Sequence, residues 1–220
     1  MTWAVERHHE SPAAFHAREP APGGRAVWVC EPSGPALVLG STQRTSVVDA
    51  DACERAGMPV VRRRSGGGAV LVEPGALLWV DVVVPAGDPL WERDVGRAFL
   101  WLGDAWRRSL ADVGVAASVH RGALRRTRWS DLVCFAGLGP GELTTSRGAK
   151  VVGLSQRRTR DVARFQCAVL LRWQPAALVA LLALAEATRD DVADELASAA
   201  TGVAAEAGSL LDAFLRHLPA

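Results

Sequence analysis

Three residue types are absent from this 220-residue chain, and a fourth is almost absent. The sequence contains no isoleucine, no asparagine and no tyrosine, and 24 of its 25 basic residues are arginine. The single lysine is Lys150. Because an ordinary surface cation in this chain is an arginine, a position that keeps lysine indicates a requirement for a compact ammonium group.

What the sequence has little of also disfavours several classes of protein. Basic and acidic residues nearly balance, at 25 and 24, so net charge predicts no nucleic-acid partner and no membrane partner. Residues 175–185 form the longest apolar run, which is too short to span a bilayer. The N-terminal residues contain no apolar signal segment, so we predict a cytoplasmic protein.

The four cysteines show no metal-binding or disulfide pattern. No two of them form a CxxC pair, and no histidine lies near one at zinc-finger spacing. We therefore expect reduced thiols and no metal site. Cys30, Cys53 and Cys167 lie in apolar segments or a predicted helix and are expected in the core.

Length and hydrophobic patterning predict a single α+β domain over residues 1–220, with antiparallel strand pairs, one long central helix and a helical C-terminal end. We expect residues 1–25 to be loosely structured, with at most one short helix. Residues 26–31 and 36–40 flank a Pro-Ser-Gly-Pro turn, which predicts a β-hairpin. Residues 175–220 are predicted to be helical.

The remaining elements follow from the period of the apolar residues. Further strands are predicted over residues 59–64, 69–73, 76–84, 115–119, 150–156 and 162–173. Helices are predicted over residues 49–57, 90–113 and from 175 onward, with breaks near 189–191 and 208. The nearly continuous apolar run at 76–84 indicates a central strand.

A glycine-rich segment that follows a predicted strand is the strongest local signal. Its residues are Arg63, Arg64, Ser65, Gly66, Gly67, Gly68 and Ala69. Three glycines let the backbone approach a ligand, consecutive N–H groups can bind an anion, and the arginines supply further donors. A flexible connection with solvated arginines is an equally weighted alternative. Neither a P-loop nor a dinucleotide-binding loop fits, because no Gly-Lys-Ser/Thr follows and the next element is a strand.

Lys150 and Cys134 are the candidate reactive groups. Lys150 opens a predicted buried strand, where an ammonium can hold a carboxylate, a phosphate or a developing oxyanion. An ordinary surface lysine is the alternative, which the arginine bias disfavours. Cys134 precedes a Gly-rich stretch, where an exposed thiol beside a cation can act as a nucleophile. A small buried thiol is the more common alternative.

Together these segments resemble the lipoate–protein ligase A family, within the wider biotin/lipoate ligase and octanoyltransferase group. The resemblance rests on residues 63–70, residues 150–157 and the Leu-Gly-Ser-Thr-Gln at 39–43, and it covers roughly residues 26–171. It implies a mixed, largely antiparallel sheet with packed helices, like the catalytic domain of the biotin/lipoate ligases. It also implies attachment of a lipoyl or octanoyl group to a lysine of a lipoyl-domain protein, either a 2-oxoacid dehydrogenase E2 or the glycine cleavage H protein. It also implies that the glycine-rich segment, Gly153 and Gln156 bind substrate and that Lys150 contacts the acyl carbonyl or carboxylate.

The group contains two chemistries. Cys134-Phe135, followed by Pro140 and Glu142, is similar to the cysteine-dependent octanoyltransferases, which implies an acyl thioester on Cys134, with acyl carrier protein as a candidate donor and no tightly bound cofactor. The three glycines are closer to the ligases, which use ATP and Mg to make an acyl-adenylate. We favour the thioester route, because the chain also lacks room for the accessory domain of many ligases.

Two departures from the family pattern support a third alternative. The ligases usually show His-Asp-x-Gly-Asn where this chain has residues 72–76, Val-Glu-Pro-Gly-Ala. Cys167-Ala168 stands where the family usually has His-Gly. The third alternative is therefore a catalytically silent homologue that binds a lipoyl group or an adenylate.

Overall fold

A seven-stranded mixed sheet is the centre of the fold in the computed structural model, which describes residues 2–20 and 23–220. The strands of the structure are β1 Ala4–Glu10, β2 Ala26–Pro32, β3 Ala36–Leu39, β4 Val60–Arg62, β5 Val70–Val72, β6 Leu77–Pro85, β7 Ser118–Val119, β8 Leu143–Thr144, β9 Lys150–Arg158 and β10 Val162–Leu170. The large sheet has the order β1-β2-β6-β10-β9-β8-β7, in which β1 and β2 are parallel and the other neighbours are antiparallel. The predicted fold class is confirmed.

A second, three-stranded sheet of order β4-β3-β5 packs against one face of the large sheet. The predicted hairpin is wrong, because β2 pairs with β1 and β6 whereas β3 pairs with β4 and β5. All four residues of β3 are buried, so its apolar side chains pack within their own sheet and against the large one. Strands β2 and β3 are thus joined by a tight turn but belong to two different sheets.

The N-terminal segment is also more ordered than the sequence predicts. Strand β1 pairs with β2 along its whole length, from Ala4 opposite Ala26 to Glu10 opposite Pro32. Helix α1, Pro12–Ala17, follows it, and Ser11 caps the helix by accepting the N–H of Ala14. An edge strand with mostly exposed side chains shows no apolar alternation, and for this reason the sequence predicts a loosely structured segment over residues 1–25. Residues 1, 21 and 22 of that prediction lie outside the described residues.

The remaining helices lie on the outer faces of the sheets. They are α2 Ala50–Arg55, α3 Leu100–Asp112, α4 Pro175–Val179, α5 Glu186–Ala199 and α6 Ala207–Arg216. Helices α3 and α6 cover one face of the large sheet, where Trp106 stacks on Phe214 with ring centroids 3.9 Å apart. None of the helices in the described residues is long and apolar enough to cross a lipid bilayer.

Several predicted boundaries shift for local reasons. Helix α3 begins at Leu100 rather than near residue 90, because Asp94 accepts the N–H groups of Gly96 and Arg97 and forms a turn there. Helix α5 runs through 189–191 without a break, since Arg189 pairs with Asp49 on an exposed helix face. The chain instead leaves helical structure at residues 180–185 and again at 200–206, just before Gly208. The strand predicted at 115–119 shortens to β7.

Strand β6 is central, as predicted, with β2 on one side and β10 on the other. Its residues Leu77 to Val84 are buried because helices cover one face of the large sheet and the small sheet covers the other. The space between the two sheets is not completely filled, and that space forms part of the candidate site.

Candidate active site

Cys134 lies where two spaces meet. One is an apolar cavity of about 60 Å³ between the two sheets, and the other is an open polar cleft of about 620 Å³. Cys134 lines both. Its thiol is the partly exposed one among the four cysteines, since Cys30, Cys53 and Cys167 are buried, and burial raises the pKa of those three thiols.

The glycine-rich segment fixes the position of Cys134. The N–H of Cys134 donates to the carbonyl of Ala69 at 3.0 Å, and the N–H of Ala69 donates to the carbonyl of Leu132 at 2.8 Å. A Cβ added at Gly68 would lie 2.6 Å from the carbonyl carbon of Val133, so this close approach requires glycine. Gly67 has a φ of +100°, and a Cβ there would lie 3.6 Å from the sulfur of Cys134. The segment is therefore a support for the thiol as well as a wall of the cleft.

Lys150, at the start of β9, is buried and makes three polar contacts with its ammonium group. Its Nζ lies 3.1 Å from the carbonyl oxygen of Cys134, 3.0 Å from that of Gly137 and 2.7 Å from Oε2 of Glu142. An ammonium has three protons, and three acceptors surround it. Lys150 thus ties both ends of the 3₁₀ turn Cys134–Ala136 to the large sheet.

Glu142 also belongs to this arrangement. It lies in the sequence motif that follows Cys134, but the motif alone predicts no role for it. Its carboxylate accepts the N–H of Gly139 at 2.6 Å and the N–H of Leu154 at 3.0 Å, in addition to its ion pair with Lys150. The side chain is almost wholly buried. One carboxylate therefore joins the segment after Cys134 to strand β9.

The structure distributes the other predicted site residues unevenly. Gly66, Gly67, Gly68 and Gln156 line the cleft together with Lys150 and Cys134, and Gly153 lines the apolar cavity. The amide nitrogen and oxygen of Gln156 are buried and have no hydrogen-bond partner within the described residues. Unpaired amide atoms beside a cleft are available to a ligand.

Arg63, Arg64, Ser65 and Ala69 have different positions. The buried guanidinium of Arg63 donates to the carbonyls of Gly66 at 2.7 Å and Gly68 at 2.9 Å. Arg63 therefore stabilises the conformation of the glycine-rich segment. Ser65 and Ala69 are buried. Arg64 pairs with Glu19 on the surface and lines neither space, so the fold does not bring it to the site.

A series of hydrogen-bonded polar side chains lies at the apolar cavity, and the sequence alone does not predict it. Oγ of Ser65 lies 3.0 Å from Oγ of Ser155 and donates to Oε1 of Gln166 at 2.9 Å, and Nε2 of Gln166 lies 3.1 Å from Nδ1 of His16. Burial, followed by the charges of Arg164 and Arg63, lowers the pKa of His16 to about 3. Gln166 and Arg164 are the polar side chains in the largely apolar strand β10, and their presence there was the available signal.

The cleft has groups that can bind an anion. None of the N–H groups of Gly66, Gly67 and Gly68 donates to an acceptor within the described residues, and Arg44 and Arg126 lie on the cleft wall. Consecutive free N–H groups beside guanidinium groups suit a phosphate, a carboxylate or an oxyanion. In the described part of the chain, no three His, Cys, Asp or Glu residues are grouped to hold a metal ion.

Comparison with known families identifies the family of this chain. Residues 12–213 match the family model described as the lipoyl protein ligase A/B catalytic domain, which is most of the chain. The chain belongs to this family. The predicted resemblance is confirmed.

Two similar curated proteins are octanoyltransferases named LipM. The one from an Exiguobacterium species is 33% identical over 131 residues, which is 56% of this chain and 46% of that protein. The one from Carboxydothermus hydrogenoformans is 32% identical over 128 residues, or 58% of this chain and 46% of that protein. The chain thus matches about half the length of these relatives.

Solved structures share the fold at lower identity. The bipartite lipoate protein ligase of Thermoplasma acidophilum, studied with its E2 lipoyl domain, aligns over 99% of this chain and 82% of its own, with a TM-score of 0.77 and 18% identity. A lipoate–protein ligase A bound with ATP aligns over 99% of this chain and 84% of its own, with a TM-score of 0.67 and 18% identity. These matches establish the fold.

Proposed function

We propose that this family member transfers an octanoyl or lipoyl group to a lysine of a lipoyl-domain protein through a thioester on Cys134. One observation carries the proposal, namely that Cys134 lines both the apolar cavity and the polar cleft. An acyl chain in the cavity would place its carbonyl carbon at the sulfur. The donor and the acceptor would approach from the cleft.

The proposed reaction has two steps. The sulfur of Cys134 attacks the carbonyl carbon of an acyl thioester, such as one on acyl carrier protein, and the donor thiol leaves with a proton. The amine of the acceptor lysine then attacks the new thioester, an amide forms, and the thiol of Cys134 is restored. The free N–H groups of Gly66 to Gly68 are the candidate donors to the oxyanion of each tetrahedral intermediate.

Lys150 supports this chemistry by positioning. Its three protons are directed to Cys134, Gly137 and Glu142, so it holds the turn that presents the thiol. A contact between Lys150 and the acyl carbonyl requires one of these bonds to be exchanged for the ligand, and that contact stays a prediction. The distances support assigning Lys150 first to the geometry of Cys134.

An ATP-dependent ligase is the second candidate. The observation that favours it is the cleft, whose volume of about 620 Å³, free N–H groups and rim arginines suit a nucleotide phosphate. In that reaction free lipoate would attack the α-phosphate of ATP, pyrophosphate would leave, and the acyl-adenylate would acylate the lysine directly. Cys134 would then take no part.

One transfer assay separates these candidates. The full chain is incubated with a lipoyl domain and either octanoyl-loaded acyl carrier protein without ATP, or free lipoate with ATP and Mg. We expect acylation of the lipoyl domain from the loaded carrier without ATP, and its loss in Cys134→Ala. Transfer that needs ATP, releases pyrophosphate and survives Cys134→Ala would establish the ligase instead. Binding of lipoate without transfer under either condition would indicate a silent homologue.

A further inference from the structure

The lining of the apolar cavity includes the polar side chains of His16, Arg63, Ser155 and Gln166. The rest of the lining is largely apolar and includes Val38, Val72 and Trp79. His16 is buried, with 8% of the residue exposed, and its ring lies against that of Trp79 with centroids 4.8 Å apart. A polar ring is therefore part of the wall of a cavity that otherwise suits a hydrocarbon chain.

The hydrogen-bond chain fixes which nitrogen of His16 carries its proton. The hydroxyl of Ser65 donates to Oε1 of Gln166, which leaves Nε2 of Gln166 facing His16. An amide nitrogen can only donate. Because Nε2 of Gln166 donates, Nδ1 of His16 must accept. The lowered pKa of His16 keeps the ring neutral near neutral pH, so its single proton is on Nε2.

That Nε2–H group is a donor without an acceptor. No atom within residues 2–20 and 23–220 accepts a hydrogen bond from it. An N–H group that lacks a protein partner on the wall of a cavity can donate to a ligand that places an acceptor there. A saturated octanoyl chain has no acceptor beyond its carboxyl end, whereas the dithiolane ring of a lipoyl chain has two sulfur atoms that accept weakly.

We propose that His16 selects a lipoyl chain over an octanoyl chain by donating its Nε2–H to the dithiolane ring in the apolar cavity. The inference rests on the proposed function only in assigning this cavity to the acyl chain. One weak hydrogen bond to a buried donor corresponds to a preference of about three- to tenfold. His16 is thus a specificity-determining residue for the chain, and it takes no part in the transfer steps.

Binding measurements test this without any transfer chemistry. The Kd values of free lipoate and octanoate are measured by calorimetry on the full chain with Cys134→Ala, alone and combined with His16→Phe or Gln166→Met. We expect a lipoate preference of about three- to tenfold that disappears in His16→Phe while the octanoate Kd stays the same. Gln166→Met, which releases Nδ1 and keeps the ring, should reduce the preference in part.

The unchanged octanoate Kd serves as the control for folding of each variant. Equal affinity for lipoate and octanoate before the His16 change, or a lipoate preference that persists in His16→Phe, would overturn the inference. Tighter binding of an oxo-substituted octanoate than of lipoate would overturn the dithiolane as the recognised group. Failure of the carrier-to-domain transfer assay would instead contradict the proposed function and leave these Kd ratios untouched.

Discussion

At the scale of single residues, the lone lysine has a structural reason. Lys150 places a compact ammonium among three oxygen atoms at 2.7–3.1 Å, two of them backbone carbonyls and one from the buried Glu142. A planar guanidinium is larger and directs its donors as a flat fork, so arginine does not fit this arrangement. The arginine bias of the rest of the chain made the position visible in the sequence.

Removing the charge of Lys150 should destabilise the protein. Lys150→Met leaves the carboxylate of Glu142 buried without its cation, which costs about 3–5 kcal/mol of unfolding free energy. The double variant Lys150→Met with Glu142→Gln removes the uncompensated charge and should recover part of that loss. Urea unfolding of the wild type and the variants measures both quantities. A single variant as stable as the wild type would show that the ion pair does not hold the turn.

The four thiols should differ strongly in their rates of alkylation. Cys134 is partly exposed, whereas Cys30, Cys53 and Cys167 are buried with raised pKa values. Iodoacetamide at neutral pH should therefore modify one site in the native protein and four after unfolding, as peptide mass mapping will show. Native labelling at Cys167 at a rate comparable to Cys134 would contradict the packing of strand β10.

The buried His16 should make stability depend on pH. Its pKa falls from 6.5 to about 3 on folding, so the unfolded state binds more protons between these values and stability rises with pH across that interval. The contribution is complete above about pH 6.5, is lost as the pH falls towards 3, and is on the order of a few kcal/mol. Urea unfolding at several pH values should give a shallower dependence for His16→Phe than for the wild type. Equal slopes would mean that His16 is not neutral in the folded protein.

At the scale of elements, burial explains which strands the sequence predicts. Strands β6 and β10 are largely apolar, β9 contains a short apolar run, and all three were predicted as strands. Strand β1 was missed because an exposed edge has no apolar pattern, and the pairing of β2 and β3 was wrong because partners come from distant segments. Local pattern indicates that a segment is extended, and the choice of partner depends on the whole chain.

The same limit applies to the site. Cys134, Lys150 and the glycine-rich segment each have a local motif, and the fold places them around one cleft. The contact of His16 with Gln166 joins residues 150 positions apart, so no local pattern connects them. Arg64 shows the converse, since it belongs to the motif yet pairs with Glu19 away from both spaces.

The glycine-rich segment offers a matched pair of substitutions. Gly68→Ala would place a Cβ 2.6 Å from the backbone of Val133 and must displace the Cys134 turn, whereas a Cβ at Gly66 meets nothing within 4 Å. We expect Gly68→Ala to lower the rate of acyl transfer at least about 100-fold, in line with the effect of displacing a reacting group by about 1 Å. Gly66→Ala should keep the rate within a few-fold, and equal rates for the two variants would contradict the proposed support of Cys134.

At the scale of the whole molecule, two layers of sheet create the site. The large sheet supplies Lys150 and Gln166, the small sheet supplies Val38 and Val72, and their incomplete contact leaves the apolar cavity. Cys134 is on the segment that closes one side of this gap. The family assignment, the cavity and the position of the thiol thus lead to one account, in which the gap between the sheets holds the acyl chain and Cys134 bonds to it.

The covalent acyl-enzyme is the central claim, and intact mass spectrometry tests it most directly. The full chain is incubated with octanoyl-loaded or lipoyl-loaded acyl carrier protein and no acceptor. The account predicts a mass increase of one acyl group that maps to Cys134, is released by hydroxylamine and is missing in Cys134→Ala, while Cys167→Ala still forms it. An adduct that persists in Cys134→Ala, or acylation of the lipoyl domain by that variant at the wild-type rate, would contradict it.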